Sequence, residues 1–328
     1  MAPNHAVMVK TMQTLPESTP PLRRIAVLLL DRFSNLALSN AIEPFRAANE
    51  FIAQPGYAWS FLSLDGGPVT SSSGLSVLPH RALEKMGPVD RLYVVASYGH
   101  LTHDTPNLRR ALARAARRAN QVIGLDSGPW LMASAGLLSG RRATLHWDLL
   151  QAFSERFLDV EADHALWVED GTRITCAGAT ATLDLSRHLI SRDLGPAVAM
   201  DVTSLFTAPQ PVDAGPTTGD TLVHRAMRVM RGTLEDPLPL PALARRLGTS
   251  PRTLSRRCQD SLGLTPGQLY RHLRLSAARR MVESSGLSVS EIAVRCGYED
   301  PTALTRAFRA RFGAAPRTFR SKTAVNPA

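Results

Sequence analysis

The C-terminal third of this 328-residue chain is organised around residues 292–313, which read IAVRCGYEDPTALTRAFRARFG. The first part predicts a short helix that carries a small Ala293 and ends at Gly297, a residue that readily adopts the positive φ of a helix end. The second part predicts an amphipathic helix, whose buried stripe consists of Leu304, Phe308 and Phe312. Two short helices joined by a tight turn are typical of a helix-turn-helix unit.

An earlier copy of the same pattern occupies residues 243–262, LARRLGTSPRTLSRRCQDSL. Ala244 and Gly248 match the small residue and the helix-ending glycine, and the apolar stripe of the second helix consists of Leu254, Cys258 and Leu262. Between the copies, residues 266–283 predict one long helix. Such a helix would hold two recognition helices so that they enter neighbouring major-groove segments about one turn, ~34 Å, apart.

Charge separates the two parts of the chain. Residues 221–328 contain 19 Lys and Arg against seven Asp and Glu, a net of +12, whereas residues 1–220 carry a net of −2. The basic residues of the C-terminal part are all Arg except Lys322, and the planar Arg fork suits phosphates and guanine edges. Together with the duplication, this charge predicts double-stranded DNA as a partner. An all-helical dimerisation bundle is the alternative interpretation.

Residues 243–320 resemble the DNA-binding domain of the AraC/XylS family of transcriptional regulators. The resemblance rests on the run 292–298, on Leu304 to Phe308, and on the residues Phe312, Gly313, Pro316, Phe319 and Arg320. By motif position it implies base contacts from the outward faces of both second helices: Arg252, Ser255 and Arg256, and Thr302, Thr305 and Arg306. Pro301 and Thr302 stand where the family often has longer polar residues, so weaker base reading is expected from the second unit.

The N-terminal two thirds predict an α/β fold. Apolar strand-like runs at Arg24–Leu30, Trp59–Leu64, Arg91–Ala96 and Gln121–Leu125 alternate with stretches of helical spacing. The helical stretches pass through Leu38 to Ala48 and then span Leu108–Ala119, Pro129–Leu138, Ala181–Ile190 and Pro196–Phe206, and Leu166–Ala177 predicts a hairpin. Alternating strands and helices predict a doubly wound, mostly parallel sheet covered on both faces. An all-α domain with two helix-turn-helix units follows it.

Composition shifts divide the chain into segments. We expect a disordered tail at 1–21, a ligand-sensing domain at 22–208, a Pro/Thr-rich linker at 209–221, a DNA-binding domain at 222–322 and a short tail at 323–328. No apolar run approaches the roughly 20 residues of a membrane helix, and the N-terminus lacks an apolar signal core. These features predict a cytoplasmic protein without a membrane partner. The three cysteines give neither a disulfide framework nor metal-ligand spacing, so no metal or cofactor is expected.

Residues 124–128, GLDSG, lie between a predicted strand and a predicted helix. That arrangement is typical of a nucleophile elbow, a strained turn that presents one side chain at the carboxyl end of a sheet, where α/β proteins bind ligands. Asp126 occupies the presented position. Thiol chemistry is not expected, because the elbow is Asp and none of Cys176, Cys258 and Cys296 is expected to lie near it.

The N-terminal part, over about residues 22–208, resembles the class I glutamine amidotransferase-like superfamily (flavodoxin-like) in its GlxA-type regulator branch. The matching runs are 33–37, 41–49, 126–130, 135–138, 142–147 and 178–184. Enzymes of the superfamily usually carry Cys at the elbow, paired with a Glu that matches Glu43. With Asp at this point, the chain is similar to the regulators of carnitine and glycine-betaine catabolism (CdhR- and GbdR-like). The resemblance favours a homodimer through this domain and leaves contact with RNA polymerase open.

A cation site follows from the same residues. If Glu43 and Asp126 face one cleft, the two carboxylates repel each other unless a cation joins them. A quaternary ammonium needs anionic charge and aromatic faces, and Trp130 and Trp147 lie in motif segments close to the elbow. The candidate ligand-binding residues are Glu43, Asp126, Ser127, Trp130, His146 and Trp147. The alternatives are core packing for both Trp residues, an ion pair for Glu43, a structural hydrogen bond for His146 and a helix N-cap for Asp126.

Three functions compete at this stage. The leading one is a one-component transcription regulator that senses a small cationic metabolite, such as a betaine, carnitine or a basic amino acid. The second is a hydrolase in which Asp126 is the elbow nucleophile and His146 the base. The third is a DNA-binding protein that responds to no ligand.

Overall fold

The structure is a computed structural model that describes residues 21–206 and 221–325. The strands, in chain order, are β1 (Arg23–Leu29), β2 (Tyr57–Ser63), β3 (Val69–Thr70), β4 (Ser76–Val77), β5 (Arg81–Ala82), β6 (Val89–Ala96), β7 (Ala119–Asp126), β8 (Arg142–Ala143), β9 (Glu161–Ala162), β10 (Trp167–Asp170) and β11 (Arg173–Cys176). The predicted tails and linker lie almost wholly outside the described residues. Their boundaries therefore stay predictions.

Seven of these strands form one sheet in the order β10-β11-β7-β6-β1-β2-β5. Every neighbouring pair is parallel except β10 and β11, which form the predicted antiparallel hairpin. The carboxyl ends of β1, β6 and β7 therefore lie side by side at one edge of the sheet. The predicted doubly wound, mostly parallel architecture is confirmed.

Helices cover both faces of this sheet. They are α1 (Asn35–Glu50), α2 (His100–His103), α3 (Pro106–Ala116), α4 (Gly128–Ser134), α5 (Leu150–Arg156), α6 (Ala179–Leu194) and α7 (Pro196–Phe206). In β1, alternate residues Ile25 and Val27 join a core formed with α1, α6 and α7, while Ala26 and Leu28 join a core formed with α3 to α5. A continuous apolar strand is required because both of its faces are buried.

Two predicted helix ends were wrong. The helix predicted at Leu108–Ala119 ends at Ala116, because Ala119 instead pairs with Val89 in the sheet. The helix predicted at Pro129–Leu138 ends at Ser134, because Gly136 adopts a φ of +74° and the chain turns there.

The C-terminal part is entirely helical among its described residues. Its helices are α8 (Thr221–Arg231), α9 (Leu240–Arg246), α10 (Pro251–Leu262), α11 (Pro266–Ser284), α12 (Val289–Arg295), α13 (Pro301–Phe312) and α14 (Pro316–Val325). One apolar core joins α8, α9 and α10 to the first half of α11, and a second joins α12, α13 and α14 to its second half. The predicted pair of helix-turn-helix units on one connecting helix is thus present.

Candidate functional site

The two recognition helices, α10 and α13, are built alike. Each begins with Pro in its first turn behind a side-chain cap, Ser250 accepting from the Thr253 N–H (3.1 Å) and Asp300 accepting from the Ala303 N–H (2.8 Å). The first two buried residues occur at the same positions in both helices, counted from the helix start, and Leu254 and Leu304 come first. The remaining core residues of the two helices are Cys258, Phe308 and Phe312.

The residues predicted to contact DNA lie on the faces that point away from these cores. The exposed ones are Arg252, Arg256, Thr302 and Arg306. Ser255 and Thr305 are half-buried, and the Thr305 hydroxyl donates to the Pro301 carbonyl oxygen (2.7 Å). Thr305 therefore keeps only its acceptor lone pairs for a base or a phosphate.

The turn of the second unit is fixed from the connecting helix. Gly297 has a φ of +67°, and a Cβ there would lie 2.5 Å from the Leu234 carbonyl oxygen, so glycine is required. Arg274 on α11 donates to the carbonyl oxygens of Cys296 (2.5 Å) and Gly297, and its guanidinium lies 4.2 Å from the Tyr298 ring centroid. These contacts hold α12 and α13 in a set relation to α11.

The elbow has the strained geometry that its sequence predicts. Asp126, the last residue of β7, has a φ of +61°. A Cβ on Gly128 would lie 2.3 Å from the Val94 carbonyl oxygen, and one on Gly124 would lie 2.6 Å from Met132 Sδ. Glycine is therefore needed on both sides for α4 to approach the sheet and present Asp126 at its edge.

The Asp126 carboxylate is half-buried, and burial raises its pKa above the ordinary value. A hydrogen bond from Ser97 and the nearby rings of His146 and His100 oppose that rise. Burial also lowers the pKa of His100. Among the described residues, no Lys or Arg forms an ion pair with Asp126.

Two other predicted residues adjoin Asp126. Ser127 is fully buried, its hydroxyl donating to the Ser97 carbonyl oxygen (2.8 Å). It is also the N-cap of α4, so Asp126 does not fill that position. The His146 N–H donates to the Asp126 carbonyl oxygen (3.0 Å), and His146 Nδ1 accepts from the Asp148 N–H (3.4 Å). Ser127 is therefore a buried residue that holds the elbow turn in place, whereas His146 lies close enough to Asp126 to affect its pKa.

The two Trp residues differ in exposure. Trp130 is 6% exposed and packs in the core against His100, Phe153 and Phe157. Trp147 is 76% exposed, and its ring centroid lies 5.5 Å from that of His146. Of the two, only Trp147 has a face available to a ligand.

The structure does not bring Glu43 together with Asp126. Glu43 lies eight residues into α1, about 12 Å from the helix start, and its half-exposed carboxylate accepts from Arg46 Nε (2.7 Å). The interpretation in which two carboxylates share one cleft is therefore wrong, because an i,i+3 ion pair on α1 satisfies Glu43 instead.

The expectation that no cysteine lies near the elbow was wrong for Cys176. This residue ends β11 in register with Leu125, so it lies on the strand beside the elbow although it is fifty residues away in the chain. Its side chain is fully buried, and burial raises the pKa of its thiol. The conclusion against thiol chemistry therefore holds for a different reason, since a buried neutral thiol is a poor nucleophile.

Sequence reasoning missed the residues that follow β1 and β6. Ser97 and His100 reach Asp126 from the end of β6, the strand next to β7. Arg32, beyond the end of β1, has a φ of +64°, and its guanidinium lies 5.7 Å from the Tyr98 ring centroid. Among the described non-glycine residues only Arg32 and Asp126 have positive φ. The sequence could have indicated these residues, because they follow predicted parallel strands and ligands bind at the carboxyl ends of such strands.

Comparisons with known proteins agree with this architecture. The DJ-1/PfpI family model matches residues 23–192, and a helix-turn-helix domain model matches residues 243–322. The HTH-type transcriptional regulator CdhR of Pseudomonas aeruginosa is 38% identical over 305 residues, which cover 90% of each chain. The HTH-type transcriptional regulator GlxA of Rhizobium meliloti is 34% identical, over 92% of this chain and 97% of its own.

The chain belongs to the AraC family of transcriptional regulators, in its GlxA-type branch.

The α/β part of this regulator is similar to a solved structure of an AraC family transcriptional regulator from Pseudomonas putida. That structure is 25% identical, aligns over 56% of this chain and 100% of its own, and gives a TM-score of 0.50. The regulator therefore combines a DJ-1/PfpI fold with an AraC-type DNA-binding domain, and it is not an enzyme although some enzymes share the fold. The hydrolase hypothesis is set aside on this ground.

No helix in 21–206 or 221–325 is both long and apolar enough to cross a membrane. In the same residues, no group of three or more His, Cys, Asp and Glu side chains is arranged to hold a metal ion.

Proposed function

We propose that this regulator senses a small cationic metabolite at Asp126 and transmits its occupancy to the two DNA-binding units. The proposal rests on one observation: Asp126 is a half-buried carboxylate in a strained turn, and no Lys or Arg among the described residues pairs with it. A buried carboxylate without a counter-ion is costly, and a bound cation would remove that cost.

Aromatic side chains near the elbow support a quaternary ammonium as the cation. Such a group has no N–H to donate, so it binds through anionic charge and aromatic faces. Trp147 lies beside His146, and Tyr98 lies between Ser97 and Gly99 in the loop after β6. Both rings are mostly exposed, at 76% and 60%, so both have faces free for a ligand.

Arg32 supports a ligand that carries a carboxylate as well. Its guanidinium lies over the Tyr98 ring, at the end of the sheet that also carries Asp126. Betaines, carnitine and basic amino acids combine a cationic nitrogen with a carboxylate, and Arg recognises carboxylates through its planar fork. Choline has the same quaternary ammonium without the carboxylate, so Arg32→Gln should weaken binding of glycine betaine and spare binding of choline.

Titration calorimetry on the full chain tests the ligand site. The panel contains glycine betaine, carnitine, choline and the basic amino acids. We expect at least one to bind the wild type and Asp126→Asn to abolish that binding, while Glu155→Gln, an exposed acid on α5, leaves it unchanged. Unchanged affinity in Asp126→Asn would refute the site, and no binding by the wild type would favour a regulator that responds to no ligand of this class.

On the DNA side, we propose that the base contacts come from Arg252, Ser255, Arg256, Thr302, Thr305 and Arg306. Their positions on the outward faces of α10 and α13 support this assignment. We further propose a cytoplasmic homodimer, in keeping with the family. The ligand can change DNA affinity by no more than its own difference in affinity for the two states of the protein.

A further inference from the structure

A buried carboxylate joins the α/β part to the second helix-turn-helix unit. Asp201 on α7 is 3% exposed. It accepts from Ser276 Oγ (2.5 Å) and lies 3.1 Å from His272 Nε2, both on α11, and it accepts from Arg311 Nη2 (2.8 Å) on α13. Burial alone would raise the pKa of Asp201, but His272, Arg311 and Ser276 lower it below the ordinary value. A recognition helix is therefore ion-paired, at its C-terminal end, to the sensing domain.

The same surface receives the C-terminal end of α1. Arg311 Nη1 donates to the Phe51 carbonyl oxygen (3.1 Å), and Arg279 on α11 donates to the Glu50 carbonyl oxygen. Arg279 is 5% exposed, and its guanidinium lies 4.6 Å from the Phe51 ring centroid and 4.8 Å from that of Phe319. Two arginines of the DNA-binding domain thus bind carbonyl groups that the end of α1 leaves without intrahelical partners.

The opposite end of α1 lies at the ligand site. Ser34 is its N-cap, and the Ser34 N–H donates to Ser97 Oγ (3.0 Å). Ser97 also adjoins the elbow, because its carbonyl oxygen accepts from the hydroxyl of Ser127, the residue after Asp126 (2.8 Å). With 16 residues, α1 spans about 24 Å between these two sets of contacts. It also contacts α6, because the Ser186 hydroxyl donates to the Asn40 carbonyl oxygen (2.9 Å) and Asn40 Nδ2 donates to the Ala179 carbonyl oxygen (2.7 Å).

We propose that α1 is the coupling element of this regulator: occupancy at Asp126 shifts α1 through Ser97 and Ser34, and Arg279 and Arg311 pass the shift to the second helix-turn-helix unit. This inference rests on the proposed function. Pro44 interrupts the hydrogen-bond ladder of α1, but the Ser186 hydroxyl on α6 binds the Asn40 carbonyl oxygen that Pro44 leaves free, so the packed helix stays stiff relative to a loop and can transmit a displacement along its axis. The second unit is the regulated one, since the contacts from α1 reach α11 and α13.

Amide hydrogen exchange on the full chain tests the coupling without any ligand. Ser97→Ala removes the hydroxyl that accepts from the Ser34 N–H at the start of α1, next to the elbow. We expect exchange in α12 and α13, residues 289–312, to change at least about twofold, with no change in α10. Ser63→Ala is the matched control, because Ser63 is also a buried serine whose hydroxyl accepts from a backbone N–H, that of Gly66 (2.9 Å). No change in residues 289–312, or an equal change in α10, would overturn the proposal.

A second measurement uses whichever panel compound binds the wild type. In the wild type that compound changes the Kd for DNA. In Arg311→Met and Arg279→Met we expect the calorimetric Kd of the compound to stay within about twofold, while its effect on DNA binding disappears. An undiminished effect in both variants would refute the role of α1. Absence of binding to the wild type would contradict the ligand class alone, because the exchange experiment still decides the coupling.

Discussion

The substitution Arg256→Ala should weaken DNA binding without changing the stability of the fold. Arg256 is exposed on α10 and, within the described part of the chain, makes no hydrogen bond or ion pair. Its removal should therefore change the free energy of unfolding by less than about 0.5 kcal/mol. If Arg256 contacts a guanine edge through both nitrogens, its loss should cost about 1–3 kcal/mol of specific binding. At about 1.4 kcal/mol per tenfold, the operator Kd should rise roughly 5- to 150-fold.

The assay compares the operator with random DNA of equal length by fluorescence anisotropy at two salt concentrations. A base contact weakens operator binding and leaves random-DNA binding and the salt slope nearly unchanged. Arg110→Ala is the matched control, since it removes the same charge from an exposed position on α3. An equal loss on random DNA would show that Arg256 contacts a phosphate, and no loss on either DNA would refute its place at the interface.

Three further predictions concern stability and charge. Burial raises the pKa of Asp126, so its ionised form destabilises the folded chain as pH rises from about 3.8 through the raised pKa. Asp126→Asn should therefore raise Tm at pH 7, and the gain should shrink towards pH 4; a lower Tm at pH 7 would contradict this. Binding of the full chain to DNA should fall with salt at a log–log slope of roughly −5 to −9 if about six to ten phosphates are neutralised, and a flat response would argue against the interface. Phe308→Ala empties a fully buried site in the second unit and should cost about 3–5 kcal/mol in denaturant unfolding, whereas a loss below ~1 kcal/mol would mean that this core is not packed as described.

The features that could be predicted from the sequence are set by nearby residues. The spacing of Leu304, Phe308 and Phe312 predicts a buried stripe because a helix repeats every 3.6 residues, and the structure places all three in one core. The elbow at Asp126 could be predicted for the same reason, because its strain comes from residues close in the sequence: a strand, a tight turn and two flanking glycines.

What could not be predicted depends on which strands and helices become neighbours. Ser97 and His100 approach Asp126 because β6 lies beside β7, and Cys176 approaches it because β11 lies on the other side. The spacing of residues along α7 could not reveal the partners of Asp201, because those partners come from α11 and α13. Glu43 was misassigned although its partner Arg46 is three residues away, because an exposed ion pair and a pocket carboxylate have the same sequence pattern.

Ligand binding and DNA binding to this regulator must be thermodynamically reciprocal if both act on the same two states. If a cation at Asp126 and an operator at α10 and α13 bias one equilibrium, each must change the other's affinity by the same factor. We would measure the Kd of the binding panel compound by calorimetry on the free chain and on the chain saturated with operator. We expect the two values to differ by the same factor by which the compound changes the operator Kd. Equal values on the free and DNA-bound chain would contradict this expectation.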